Sequence, residues 1–92
     1  MVDCNGKEMT SGSIFLYIDE LRKADGTIAR PKSTQKGVVM NNGSWHRVGT
    51  PWSYGLEQCF RPEDVEIVGD IRVNPELVTP GLAEQMIARG EV

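Results

Sequence analysis

The first three quarters of the chain alternate short apolar runs with turn-forming residues, a pattern typical of strands joined by tight turns. The clearest early run, residues 14–18, is rich in β-branched and aromatic side chains. Such side chains favour the pleated backbone of a sheet. We therefore predict a strand here, buried on the face of Ile14, Leu16 and Ile18.

Two sequences predict hairpin turns between neighbouring strands. Asp25 and Gly26 form the dipeptide typical of a two-residue type I′ turn, which needs positive φ at both central positions. Residues 41–43, with the sequence Asn-Asn-Gly, predict a second hairpin. The chain on either side of both turns is expected to run as antiparallel strands.

A further strand is predicted over residues 65–73, where apolar and charged positions alternate with a period of two. The expected apolar face comprises Val65, Ile67, Ile71 and Val73. Gly69 falls on that same face, and a glycine inside a strand often marks a bulge or a close backbone approach.

The period changes after residue 78, where a helix is predicted over residues 80–89. Thr79 is a suitable N-cap with Pro80 at the first helical position, and Gly90 suits the position after the C-cap. The apolar stripe at helical spacing comprises Leu82, Ala83, Met86 and Ile87. It would pack either on the sheet of its own chain or on a second subunit.

These elements predict a mainly β fold. We expect a small curled sheet or barrel of five to six short antiparallel strands with a C-terminal α-helix. With 92 residues, of which 39% are hydrophobic, the chain suits one domain and one modest core. The expected single domain covers residues 1–92, with a β region at 1–78 and the helix and tail at 79–92.

Composition excludes several classes of protein. No run approaches the roughly 18 apolar residues of a membrane span, and the N-terminus lacks the order of a secretion signal. We therefore expect a cytoplasmic protein with no membrane partner. Cys4 and Cys59 are then free thiols, although a bridge between them stays open. Together with His46 they are too few for a structural zinc site, so no metal or cofactor is expected.

An aromatic segment is the first candidate site, and we predict that it binds a partner protein. Tryptophan, tyrosine and arginine are enriched at the energetic centres of protein interfaces. The alternative is that one or both tryptophans fill the core. The predicted partner-binding residues are Trp45, His46, Arg47, Trp52 and Tyr54.

A basic hairpin is the second candidate, because lysine and arginine on a hairpin can contact phosphates. The chain as a whole carries a net charge of −3, whereas nucleic-acid-binding domains are usually basic. An exposed, solvated hairpin is therefore the alternative. The candidate nucleic-acid contacts are Arg22, Lys23, Arg30, Lys32 and Lys36.

The last third of the chain is acidic and offers no recognisable catalytic arrangement. An acidic face can capture basic proteins, although a solvated face explains it as well. No phosphate-binding loop, nucleophile motif or marked carboxylate pair is present, so we do not expect an enzyme. The carboxylates are Glu57, Glu63, Asp64, Glu66, Asp70, Glu76, Glu84 and Glu91.

Two motifs resemble the YopX family of small phage and prophage proteins. The first, at residues 5–14, contains the opening Gly-Lys-Glu, and the second, at residues 65–78, ends in Asn-Pro-Glu-Leu. Ser13 stands where the family usually has an acidic residue. The resemblance implies a mostly β fold, a phage or prophage origin and self-association as an open possibility. It implies no activity and no catalytic residues.

Together, the patterns and the resemblance favour a non-enzymatic phage or prophage accessory protein in the cytoplasm of a bacterial host cell. It would bind a host or phage protein, and a counter-defence inhibitor is one form of such a protein. The alternative is a nucleic-acid or nucleotide-binding module that uses the basic hairpin at residues 22–36. A homo-oligomer is open in either case.

Overall fold

The computed structural model describes the backbone of all 92 residues and every side chain except those of Leu21, Arg22, Arg30 and Pro31. Five strands form one antiparallel sheet in the order β4-β3-β2-β1-β5. The strands are β1 Ser13–Arg22, β2 Ile28–Val39, β3 Ser44–Arg47, β4 Ser53–Gly55 and β5 Val65–Asp70. The helices are α1 Leu56–Cys59 and α2 Leu82–Ala88, with 3₁₀ turns at Pro62–Asp64 and Pro75–Leu77.

This architecture confirms the predicted mainly β fold with antiparallel strands and a C-terminal helix. The two predicted forms of the sheet are now distinguished, because the sheet is open. Within the described backbone, β4 and β5 remain its two edges and no pairing joins them. The alternative of a closed barrel is therefore wrong.

Apolar side chains are buried on both faces of the sheet, since neighbouring residues of a strand point to opposite sides. The aromatic core, on one face, comprises Met9, Phe15, Tyr17, Val39, Trp45, Leu56 and Val65. The helix-side core, on the other, comprises Ile14, Val38, Ile71, Val78, Ala83 and Met86. One short sheet is thus stabilised by two small cores rather than by one.

The predicted burial of β1 is partly wrong. Ile14 is fully buried, but Ile18 on the same face is 58% exposed. Phe15 and Tyr17, which alternate with them, are buried in the aromatic core. The reason is that α2 packs over the sheet close to Ile14 and leaves the far end of that face open to solvent.

A bulge in β5 corrects the prediction of one continuous apolar face over residues 65–73. The register of β5 against β1 shifts at Val68, next to Gly69, so the predicted irregularity at this glycine is confirmed. Beyond the bulge the strand ends at Asp70. Val65 therefore packs in the aromatic core, whereas Ile71 packs in the helix-side core.

The apolar stripe of the C-terminal helix was predicted to pack either on the sheet of its own chain or on a second subunit. In the structure it packs on its own sheet. Ala83 and Met86 are buried against Ile14 and Val38, whereas Ile87 is 51% exposed. The predicted cap at Thr79 is wrong, because Gly81 precedes the helix and Thr79 makes no side-chain cap.

The predicted role of Gly90 at the other end of the helix is confirmed. Its φ is +68°, its N–H bonds to the carbonyl of Ile87, and the N–H of Glu91 bonds to Met86. These two bonds form a Schellman motif, which satisfies the last carbonyls of the helix.

Strands β1 and β2 extend beyond the sheet as a two-stranded arm. Only Ser13–Tyr17 of β1 pair with β5, and only Gly37–Val39 of β2 pair with β3. Residues 18–35 form the arm, whose tip is a three-residue turn with Gly26 at φ +88°. The predicted type I′ turn is wrong, since no residue other than glycine has positive φ.

Candidate protein-binding site

Four aromatic rings from different elements line a cleft beside β4. Trp45 of β3 lies 5.3 Å from Tyr54 of β4, 5.1 Å from Tyr17 of β1 and 5.0 Å from Phe60, measured between ring centroids. Offset and edge-to-face contacts of this kind stabilise aromatic clusters. The cleft has a volume of about 260 Å³, which approaches the smallest typical ligand pockets.

A glycine makes the floor of this cleft possible. A Cβ atom on Gly37 would lie 2.5 Å from Cζ of Phe15 and 2.7 Å from Cε3 of Trp45. Real Cβ atoms do not approach other carbons this closely, so any side chain at this position would displace a ring. Gly37 therefore sets how deeply Trp45 sits.

The indole N–H of Trp45 is buried and has no acceptor among the described residues. Trp45 is only 4% exposed, so the predicted core alternative holds for this tryptophan. An unsatisfied buried donor costs about 1–3 kcal/mol. The aromatic core thus contains one buried hydrogen-bond donor without a described acceptor.

Arg47 forms an ion pair at the rim of the cleft. Its Nη2 atom donates to Oδ2 of Asp19 across 3.1 Å, and both side chains are partly buried. The pair ties β3 to the base of the arm. Arg47 therefore lies at the predicted site, although part of its guanidinium already serves a contact within the fold.

The remaining predicted aromatic side chains are exposed. Trp52 is 63% exposed in the segment before β4, and Tyr54 is 42% exposed on β4 itself. β4 has only three residues and forms one edge of the sheet, so no strand pairs with its outer side. Both side chains are accessible to solvent. The prediction left open whether the tryptophans bind a partner or fill the core. Trp45 lies in the core, and Trp52 lies at the surface.

His46 does not belong to this cleft. It pairs with Val38, a residue of the helix-side core, so its side chain lies on the opposite face of the sheet from Trp45. There it lines a different cavity together with residues of α2. The prediction placed His46 with its sequence neighbours, but strand alternation separates them.

Sequence reasoning missed Tyr17, Phe60 and Asp19 as members of the cleft. The prediction named only the opposite face of β1 as buried and left the face of Tyr17 and Asp19 undecided, and Phe60 follows a helical turn that no apolar period indicated. The alternating Phe15–Tyr17 positions were the available signal, but Ile14, Leu16 and Ile18 outweighed them.

Carboxylates surround the cleft. A second cavity, of about 290 Å³, shares Tyr17 and Ile18 with it and continues along the outer side of β1. The carboxylates in the described lining of the two cavities are Asp19, Glu20, Glu63, Asp64 and Glu66. Arg61 lies 3.4 Å from Glu63 and 3.7 Å from Asp64. Among the described lining residues of the two cavities, Arg47 is the one guanidinium beside these five carboxylates.

The basic hairpin is only partly available for contacts. Lys23 and Lys32 are exposed on the arm, and the side chains of Arg22 and Arg30 lie outside the described residues. The Nζ atom of Lys36 donates to the carbonyl of Leu77 at 2.7 Å, so one of its three donors already serves a contact within the fold. Lys36 therefore ties β2 to the 3₁₀ turn that precedes α2.

The arm tip is held by Asp25, whose carboxylate accepts bonds from the hydroxyl and the N–H of Thr27. These donors, the hydroxyl first, hold the pKa of Asp25 below its usual value. The tip is therefore a structured turn that carries a carboxylate next to Lys23, which reduces its positive charge.

Three further expectations came from composition: the state of the two cysteines, metal binding and membrane insertion. Both Cys4 and Cys59 are exposed free thiols, so the open alternative of a bridge does not form. Within the described side chains, no cluster of histidine, cysteine and carboxylate residues is able to hold a metal ion. No helix of the described chain is long and apolar enough to cross a bilayer.

Comparison with known proteins yields no matching family model, no matching curated protein and no matching solved structure.

Proposed function

We propose that this chain is a non-enzymatic binding protein, and that its aromatic cleft docks a basic and apolar segment of a partner protein. The observation that carries the proposal is the exposure of two large aromatic side chains, Tyr54 in the lining of the cleft and Trp52 two residues before it in the chain. Leaving two large aromatic side chains in water forgoes the favourable free energy of burying them. Burial against a partner recovers that free energy.

Charge supports a basic partner. Carboxylates predominate in the described lining of the cleft and of the cavity beside it. A lysine or arginine of the partner can lay its aliphatic stem on Tyr54 and Trp45, with its cation near ring faces and carboxylates. An acidic segment would meet like charge, which opposes association.

The available surface is sufficient for a specific complex. The protein exposes 5658 Å² in total. A standard interface buries about 800 Å² on each partner, which is roughly a seventh of this surface. The cleft and the cavity beside it share Tyr17 and Ile18, so one interface of this size can include both.

The resemblance to YopX-family proteins supports placing the partner in a phage-infected or lysogenic bacterium. We therefore propose a host or phage protein as the partner, with inhibition of a host defence protein as one outcome of binding. The resemblance also favours action in the bacterial cytoplasm.

The first test is affinity capture from nuclease-treated bacterial lysate, followed by a dissociation constant for the purified partner. We expect Trp52→Ala and Tyr54→Ser to weaken binding by at least tenfold each, which is about 1.4 kcal/mol. Val73→Ala is the matched control, because Val73 is also a highly exposed apolar residue but lies away from the cleft.

The partner should also carry a basic segment at its contact surface, and its affinity should fall as salt rises. If Trp52→Ala, Tyr54→Ser and Val73→Ala all bind like the wild type, the cleft is not the docking site. The same conclusion follows if the partner contacts the cleft through an acidic segment.

Nucleic-acid binding by the arm is the second candidate function. The observation that favours it is the extension of residues 18–35 as a two-stranded ribbon, an element that fits the major groove of DNA. We expect Lys23→Glu with Lys32→Glu to abolish such binding, and the affinity to fall steeply between low and moderate salt. An affinity for duplex DNA that salt does not change would overturn this candidate.

A further inference from the structure

A second cavity, distinct from the aromatic cleft, lies between the β3–β4 connection and α2. Its volume is about 450 Å³, within the range of sites for small organic ligands. His46 enters it from β3, and Gln85 and Arg89 enter it from the last turns of α2. This cavity contains His46, a predicted partner-binding residue that does not line the aromatic cleft.

The cavity differs in charge from four other cavities of the described structure. Each of those four includes at least one carboxylate in its described lining. The His46 cavity includes none among its described lining residues, although the chain has 13 aspartates and glutamates. Its ionisable side chains are an imidazole and a guanidinium, both of which donate hydrogen bonds.

The lining of the cavity combines polar groups with apolar walls. Thr79 contributes a hydroxyl group and Gln85 an amide, whereas the hydroxyl of Thr50 already donates to the carbonyl of Arg47. Pro51, Pro80 and Leu82 form the apolar part of the lining. A cavity of this composition suits a molecule with an anionic head group and a compact apolar body, since few polar groups orient a ligand whose body is buried.

We propose that the His46 cavity binds a small organic oxyanion, either a phosphate monoester or a carboxylate, through Arg89, His46 and Gln85. Arg89 also lies 3.7 Å from Glu91, but a guanidinium has five N–H donors and keeps several for a ligand. Planar bidentate contacts from arginine are the usual means of holding carboxylate and phosphate groups. The site is independent of the proposed docking of a partner protein.

The test is an NMR titration of the full chain with phenyl phosphate, benzoate and phenol, which share one ring and differ in the head group. We expect saturable shifts at His46, Gln85 and Arg89 with at least one oxyanion, and none with phenol at the same concentrations. The tighter of the two oxyanions identifies the head group. Arg89→Gln should weaken that binding by about tenfold or more, because it removes a charge-assisted contact.

His46→Gln serves as a second variant should Arg89→Gln perturb the fold, and it should weaken binding in the same direction. Arg61→Gln is the matched control, since Arg61 is an exposed arginine outside this cavity. Phenol binding as tightly as the oxyanions would overturn the proposal. So would the absence of saturable shifts, or unchanged affinity in both cavity variants.

Discussion

The carboxylate of Asp3 accepts the main-chain N–H of Ile67 across 2.9 Å, although 64 residues separate them in sequence. The other carboxylate oxygen accepts the N–H groups of Asn5 and Lys7. The N–H of Cys4 bonds to the carbonyl of Val65. The N-terminal loop therefore satisfies the outer edge of β5, and a covered edge is protected from pairing with other chains.

This contact makes stability depend on pH in a defined direction. The N–H donors, that of Ile67 first, hold the pKa of Asp3 below its usual value of 3.8, although burial opposes them. The folded form therefore favours the charged carboxylate. Its contribution is complete above the unfolded pKa and is lost as pH falls through the folded pKa.

We expect Asp3→Asn to lower the midpoint of urea unfolding at pH 7, because the amide cannot accept all three N–H bonds. The difference from the wild type should shrink as pH falls from about 5 to 2. Glu66→Gln, at an exposed position of β5, is the control and should have little effect. An equal loss at pH 7 and pH 2 would contradict the role assigned to the charge.

Gly37→Ala should destabilise the protein by about 1–3 kcal/mol, since the added methyl group overlaps Phe15 and Trp45. The near-ultraviolet circular dichroism should change as well, because the aromatic rings must move. Thr34→Ala, at an exposed position of the same strand, provides the comparison. Equal unfolding midpoints for the two variants would show that the rings are not so closely packed.

Removal of the Met86 side chain should cost about 2–5 kcal/mol, because it leaves a cavity between α2 and the sheet. Ile87→Ala, one residue further along the helix, should change stability by less than about 0.5 kcal/mol, since Ile87 is mostly exposed. Urea unfolding measures both variants. Similar losses for the two would mean that the helix packs through a different face.

The two tryptophans should differ in fluorescence. Trp52→Phe leaves buried Trp45, whose emission should be blue-shifted and weakly quenched by acrylamide. Trp45→Phe leaves exposed Trp52, whose emission should be red-shifted and strongly quenched. Matching spectra for the two folded variants would contradict the separation of core and surface aromatics. Binding of a partner at the cleft should in turn protect Trp52 from the quencher.

Local sequence patterns were sufficient to predict the hairpins, the end of the helix and the bulge, because these features depend on neighbouring residues. Turn sequences at residues 25–26 and 41–43 correctly predicted two hairpins, and Gly90 predicted the end of α2. Gly69 indicated the bulge in β5. Gly26, Gly43 and Gly90 have positive φ, which glycine adopts readily, whereas Gly69 allows the close approach of Asn74 and Leu77.

The candidate site could be predicted only in part. Trp45, Arg47 and Tyr54 do lie at one cleft, because β3 and β4 are neighbours in both sequence and space. Tyr17 and Phe60 reach the same cleft through pairings and packing between distant segments, and no local spacing encodes these contacts. His46 was grouped with its neighbours although it lies across the sheet.

The sequence by itself thus determined a mainly antiparallel β chain with a C-terminal helix, because hydrophobic period and turn chemistry act over a few residues. The tertiary structure alone decided which face of each strand is buried, whether the sheet closes, and which side chains meet in the cleft and in the His46 cavity. Both faces of β1 are apolar near Ile14 and Phe15, so their burial depends on what packs over each face. The packing of α2 on one face and of the aromatic rings on the other makes that choice.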